Sequence, residues 1–259
     1  MSDRTTRVLQ MTLNDLGHDP GPADGIMGKL TRGAMTDYLA TKGQPDPGLE
    51  PITFGGAART LDDIDLPKIG AQIGVGEDEL HAVIDVEARG SGFDGDGRVA
   101  MLFEPHIFWR ELGPGAKRDR AAGQGLAYAR WGTRSYPSDS YPRLKAAIEI
   151  DEDAALRSAS WGLGQIMGFN CKMAGFEAAR EMVEAFAEDE EAHLQAMVDY
   201  IVSAGLDDEL RRHDWSGFAR GYNGPAYATH GYHNRLKRSF LKWQDIPDTL
   251  FDRTQEIAA

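Results

Sequence analysis

The chain has 259 residues, 41% hydrophobic and 27% charged, which fits one large globular domain or a large and a small one and excludes disordered, collagen-like and membrane compositions. Its 28 basic against 41 acidic side chains leave a formal net charge of -13, which repels a phosphate backbone and argues against nucleic acid as a partner. The single cysteine, Cys171, can close no internal disulfide and supplies no cysteine-rich zinc site, which points to a reducing cytoplasm.

Met1 to Arg7 lead into no apolar run of signal-peptide or membrane-span length, so the expectation is a protein made without a signal peptide and without stable membrane association. Two helical patterns come next, Val8, Leu9, Leu13 and Leu16 in the first and Leu30, Ala34, Tyr38 and Leu39 in the second. Gly17 to Gly28 is a turn-rich connection, and Gly43, Pro45 and Pro47 stop the second helix. Residues 44 to 67 read as a linker with some order of its own, and the boundary is expected near residue 60, dividing the chain into 1–60 and 61–259. Residues 1–60 carry 6 basic and 7 acidic side chains, so nearly all the acidity belongs to the second domain.

That domain opens with Gly76-Glu77-Asp78-Glu79, acids suited to a helix N-terminus, then Leu80, Val83, Ile84 and Glu87 on one face. Gly90-Ser91-Gly92 stops this helix, and Arg98 to Glu104 reads as a strand or buried segment. Beyond Tyr141 the chain reads as helical, with stretches at 142–157, 176–204, 206–220 and 232–243.

Glu87 is the most informative residue. Its spacing puts a carboxylate on the buried face near a helix C-terminus, where desolvation and the helix dipole both favour the protonated form that a general acid needs. The competing reading is a Glu that reaches past the core edge or pairs with a cation such as Arg89. Asp94-Gly95-Asp96-Gly97 lacks the third ligand and terminal Glu of a calcium loop and reads as a solvated turn. The histidines have no metal-ligand spacing, with His213, His230 and His233 read as surface residues, and no serine sits in a nucleophile elbow. The expectation is therefore no metal and no cofactor. Glu177, Glu181, Glu184 and Glu188 mark the solvated face of a helix.

Three separated segments carry a resemblance: Glu87 to Phe93, Ser160 to Gly168 with its Gly-Leu-Gly-Gln-Ile turn, and Ala219 to Pro225 with Tyr222-Asn223-Gly224. In this order they resemble the signatures of the goose-type lysozyme and lytic transglycosylase superfamily. Leu102 to Phe108, Ser160 to Asn170 and Asp214 to Arg220 bring the chain closer to the phage N-acetylmuramidase family of endolysins, over about residues 70 to 243. The resemblance implies cleavage of the β-1,4 bond between N-acetylmuramic acid and N-acetylglucosamine in peptidoglycan, with Glu87 as proton donor. Glycoside hydrolysis usually calls on a second carboxylate. Glu104, placed after an apolar run and before Pro105, is the first choice, against a structural Glu bonded to a helix N-terminus or His106; Asp94 and Asp96 are the alternatives. Gln165 is expected to offer an amide to the sugar, Tyr222 to hold the carboxyl group and Asn223 to bond substrate.

The N-terminal unit, through Val8-Leu9-Gln10, Leu13, Leu16-Gly17, Asp24 to Gly28 and Thr31, is similar to peptidoglycan-binding domains joined to wall hydrolases, with Asp24, Gly25, Gly28 and Thr31 as the expected wall-binding positions. It departs from the family pattern at Tyr38-Leu39-Ala40-Thr41, which end the second helix in place of the usual Phe-Gln pair. The expected fold is mainly α: a small three-helix-type peptidoglycan-binding domain plus a larger lysozyme-like α(+β) catalytic domain. The alternatives are a lytic transglycosylase that forms 1,6-anhydro-muramic products and a catalytically silent wall-binding protein. With no leader sequence, release to the wall is expected to depend on a holin-like pore.

Overall fold

The computed structural model describes residues 4–41, 51–88 and 90–251; Arg89 and the stop signals Gly43, Pro45 and Pro47 lie outside the described residues. The chain divides into two compact units, Met1–Asp46 and Pro47–Ala259.

The first unit has two helices among its described residues, α1 (Arg4–Asp15) and α2 (Lys29–Thr41), where a three-helix-type unit is expected. Leu13 and Ala34 are buried, and so is Gln10. The Gln10 amide organises the connection between the helices. Its Nε2 donates to Asp24 Oδ1 (3.0 Å), the Ile26 carbonyl (3.1 Å) and Thr31 Oγ1 (3.0 Å), while its Oε1 accepts from Gly25 N–H (2.9 Å). A buried amide with both ends bonded is a stabilising feature, whereas an unpaired one is costly.

In the second unit, residues 51–60 pack against segments far along the chain, although composition alone assigns them to the linker. Val99 N–H donates to the Phe54 carbonyl, Ala58 N–H to Ala187, and Arg59 forms an ion pair with Asp189 (2.8 Å). Then come α3 (Asp65–Ile73) and α4 (Glu77–Glu87). Helix α4 begins where Glu79 Oε2 accepts from Gly76 N–H (2.9 Å), with three acids meeting the positive end of the helix. A three-stranded antiparallel sheet is assembled from β1 (Met101–Phe103), β2 (Ala159–Trp161) and β3 (Ile166–Met167), in the order β1-β2-β3. Its register pairs Met101 with Trp161 and Ser160 with Met167. Only the first strand is legible as an apolar run; β2 and β3 are too short to show alternation. Between β1 and β2 lie α5 (Pro105–Leu112), α6 (Ala116–Gly123), α7 (Tyr141–Ile148) and α8 (Glu152–Arg157).

After β3 come α9 (Ala179–Glu188), α10 (Glu190–Ser203), α11 (Asp207–Arg211), α12 (Trp215–Asn223) and α13 (Tyr232–Trp243). Three stretches that periodicity reads as single helices are each two, and an aspartate starts the second half every time. Asp151 accepts from Ala154 N–H, Asp189 from Glu191 N–H and Asp214 from Gly217 N–H, each at 2.9 to 3.0 Å. The N-cap leaves helical geometry while its side chain satisfies a free N–H, so the chain turns without breaking its apolar pattern. One core cluster joins the second unit, including Phe103, Phe108, Trp161, Phe186 and Phe218, all fully buried.

Two residues at the start of α10 fasten the loops that frame α4 and the sheet. Glu190 accepts from Gly92 N–H (2.5 Å), Ser91 Oγ (2.8 Å) and Leu61 N–H (3.1 Å). His193, fully buried, bonds the Phe186 carbonyl through Nε2 (2.7 Å) and accepts Leu163 N–H at Nδ1 (3.1 Å). A carbonyl can only accept, so Nε2 carries the proton and the neutral tautomer satisfies both nitrogens. A Cβ at Gly92 or Gly162 would collide with the imidazole, and Gly162 also has φ +66°. Both glycines let their loops close against one ring.

These contacts make two measurable demands. Asp214→Ala removes the cap of α12 and lowers unfolding free energy by about 1 kcal/mol, measured by urea denaturation. Burial holds the His193 pKa down at about 4 from the usual 6.5. Its stability contribution is therefore complete above about pH 6.5 and lost as pH falls from there toward 4. Nitrogen-15 NMR of the imidazole should remain in the neutral range at about pH 5.5; a titration centred near the usual histidine value would contradict the packing.

Candidate active site

Glu87 is the last residue of α4, after which Ala88 turns extended (φ -75°, ψ 141°). The side chain is partly buried and its Oε1 accepts from Asn223 Nδ2 (2.8 Å) at the C-terminal end of α12. Burial pushes the Glu87 carboxyl pKa up, offset in part by the Asn223 hydrogen bond and the Arg235 charge, with a net rise. Tyr222 packs its ring on Phe218 and edge-on to Tyr200, and its hydroxyl reaches the Gly164 carbonyl at 3.5 Å. Burial, with the Glu87 charge beside it, pushes the phenol's pKa up and keeps it neutral. The amide of Asn223, rather than the Tyr222 phenol, holds the carboxyl group.

A cavity of about 250 Å³ is lined by Glu87, Gln165, Asn170, Tyr200, Tyr222 and Asn223, among others. The expected residues Glu87, Gln165, Tyr222 and Asn223 thus meet in one place. Glu87 is the only carboxylate among the described residues lining it. Gln165 has φ +47°, which is uncommon for a residue with a side chain and occurs where surrounding structure over-determines the backbone. Its amide accepts from Ser160 Oγ (3.0 Å) and donates to the Gly162 carbonyl (2.9 Å), fixing its orientation.

Gln165 also lines a second cavity, about 320 Å³, with Ser91, Asp94, Arg98, Asp139 and Tyr141 on its walls. Arg98 lies 2.7 Å from Asp94, 3.3 Å from Asp96 and 3.5 Å from Asp139, over the Tyr141 ring. Burial alone would raise the Asp94 carboxyl, but bonds from the Arg98 side chain and backbone and from Asp96 N–H hold it below the usual range. Asp94 therefore closes a turn onto an arginine.

Glu104 lines neither cavity. Its backbone begins α5, with Ile107 and Phe108 N–H donating to its carbonyl, and its carboxylate accepts a hydrogen bond from the Tyr136 hydroxyl. His106 Nδ1 stands 3.2 Å from Glu104 Oε2 without hydrogen-bond geometry. Among the described residues no group of three or more His, Cys, Asp or Glu could hold a metal ion, and no helix is long and apolar enough to cross a membrane.

In the first unit Asp24, Gly25 and Thr31 are all bonded to Gln10, and Gly28 N–H donates to the Ile26 carbonyl (2.8 Å). Thr31 is buried, so the network shapes the loop from inside, while Ile26 and Leu30 stand exposed beside it.

Tyr200, Asn170 and Arg235 escape sequence reasoning. Tyr200 lies among Met197, Val198 and Ile201 and reads as helix packing, while Arg235 reads as one basic residue of a surface helix.

The family model described as N-acetylmuramidase matches residues 77–244, more than half of the chain. The fold is similar to the crystal structure of the Burkholderia AP3 phage endolysin, with TM-score 0.66 and 30% sequence identity, covering 94% of this chain and 97% of that one. No functionally curated protein matches the sequence. The mainly α, lysozyme-like architecture and the match over residues 77–244 agree: the chain belongs to the N-acetylmuramidase family, glycoside hydrolases that act on peptidoglycan.

Proposed function

We propose that this protein is an endolysin that cleaves the β-1,4 bond between N-acetylmuramic acid and N-acetylglucosamine, with Glu87 as general acid. The observation that carries the reading is a carboxyl group with raised proton affinity, oriented by Asn223 and alone of its kind among the described residues that line a sugar-sized cavity. Glu87 gives its proton to the bridging oxygen, the C1–O bond breaks with its electron pair on that oxygen, and water completes the product at C1. The amides of Gln165 and Asn170 are polar groups of the same cavity able to orient sugar or water. Tyr222 and Tyr200 supply neutral walls that keep the acid desolvated.

Glu104 serves in this reading to anchor the segment that carries Tyr136, and Asp94 and Asp96 shape the neighbouring cavity around Arg98. The first unit binds the wall, with Asp24, Gly25, Gly28 and Thr31 forming its loop around Gln10 and the exposed Ile26 and Leu30 as contact surface. Tethering raises the enzyme's concentration at an insoluble substrate. In this reading the enzyme reaches the wall through a holin-like pore, a route that goes with its likeness to a phage endolysin.

Glu87→Gln is expected to slow clearing of purified peptidoglycan by about 10²- to 10⁴-fold while co-sedimentation with the wall persists. Glu104→Gln, which disturbs only an anchoring bond, should cost less than about tenfold on the same scale. Equal losses from the two variants would restore Glu104 as the second catalytic carboxylate.

A further inference from the structure

Helices α4 and α13 run antiparallel, and their contacts form a ladder. His81 stacks on Trp243 with ring centres 3.6 Å apart, and Asp85 Oδ2 accepts from Ser239 Oγ (2.5 Å) and Trp243 Nε1 (2.9 Å). Thr249, beyond α13, donates its N–H to Glu77 at the start of α4. Positions thus rise along α4 as they fall along α13, and the rung after Asp85 and Ser239 sets Arg235 against the Glu87 end. The spacing Arg235, Ser239, Trp243 keeps all three on one face.

Arg235 is partly buried, its Nε has no hydrogen-bond partner, and its guanidinium carbon lies 4.4 Å from the centre of the Tyr232 ring. A buried N–H donor left unbonded is costly and calls for a reason. The other described residues that line the cavity with Glu87 are uncharged, among them Asn223 and Tyr222 from α12 and Tyr200 from α10. Asp85, on α4 itself, is bonded to Ser239 and Trp243, with Lys242 at 3.7 Å. Arg235 makes no ion pair with Glu87; among the described residues its charge is the one that lowers the carboxyl's proton affinity from a distance, by less than the Asn223 hydrogen bond does.

We propose that Arg235 is a positioning residue whose charge, without direct contact, stabilises the Glu87 carboxylate left behind by proton transfer and sets the pH range over which the acid works. The inference rests on Glu87 being the general acid. When the proton passes to the bridging oxygen and the C1–O bond breaks with its electrons on that oxygen, a negative charge remains on Glu87 in a desolvated cavity. Water then adds at C1 and its released proton restores the acid. A fixed cation stabilises the intervening carboxylate without the reorganisation that solvent would need. It also makes Glu87 a stronger acid than burial alone would allow, so that proton donation is faster and the protonated state ends at a lower pH.

Removing the charge should therefore produce two linked changes that a purely structural residue would not: a lower plateau rate and an alkaline limb displaced upward. The test is the pH–rate profile for solubilisation of purified peptidoglycan by full-length wild type, Arg235→Gln, Arg235→Met and Arg235→Lys, each checked for folding by circular dichroism. Methionine keeps the apolar stem should glutamine not be tolerated. In the folded neutral variants the limb should rise by about one pH unit and the plateau fall about tenfold; Arg235→Lys should leave the limb at the wild-type position. A neutral variant whose limb matches wild type, or a lysine variant shifted as far as glutamine, overturns the proposal. Persistent activity in Glu87→Gln would instead overturn the acid reading beneath it, whereas inactive Glu87→Gln with unmoved Arg235 variants defeats this inference alone.

Discussion

One turn of one buried helix holds the site together. Glu190 and His193, three residues apart on α10, bind the loop that succeeds α4 and the turn between β2 and β3, the two segments that border Glu87 and Gln165. Polar groups this deep are costly unless every bond is made, and here both imidazole nitrogens have partners and the Glu190 oxygens take three donors. The arrangement works only with glycine at 92 and 162, because a side chain at either position would occupy the space of the imidazole. The Gly-rich loops around the site are thus the complement of a fixed polar core.

Within this scaffold the proton affinity of Glu87 is a contest between burial and partners. Desolvation raises the carboxyl's proton affinity, while Asn223 and Arg235 pull the other way. A carboxyl fully at the mercy of burial would hold its proton too tightly to be a good donor; one fully solvated would have lost it near neutral pH. Helix α12 brings Asn223, α13 brings Arg235, and both pack near the end of α4, so tertiary packing sets the balance.

How much of this is legible in the sequence depends on the range of the interaction. Glu87 stands out because a charge falls on an apolar helical face, and Gln165, Tyr222 and Asn223 through motifs tied to glycine. The strand at Met101–Phe103 is visible as an apolar run. Three double helices read as single ones because periodicity passes smoothly through Asp151, Asp189 and Asp214, although an aspartate succeeded by further acids at the first two is a usable start signal. Residues 51–60 look like linker because their partners, Val99 and Ala187 to Glu190, lie far along the chain. That Asn223 rather than Tyr222 bonds the Glu87 carboxylate, and that Glu104 pairs with Tyr136, depend on side-chain direction, which spacing does not encode.

The central claim is that Glu87 protonates a glycosidic oxygen and water takes the vacated bond. Mass spectrometry of soluble fragments released from purified peptidoglycan in oxygen-18 water tests it directly. The account predicts reducing N-acetylmuramic acid ends carrying one heavy oxygen from the wild-type enzyme. Unlabelled 1,6-anhydro-muramic ends would contradict it, because the sugar's own 6-hydroxyl would then have attacked in place of water.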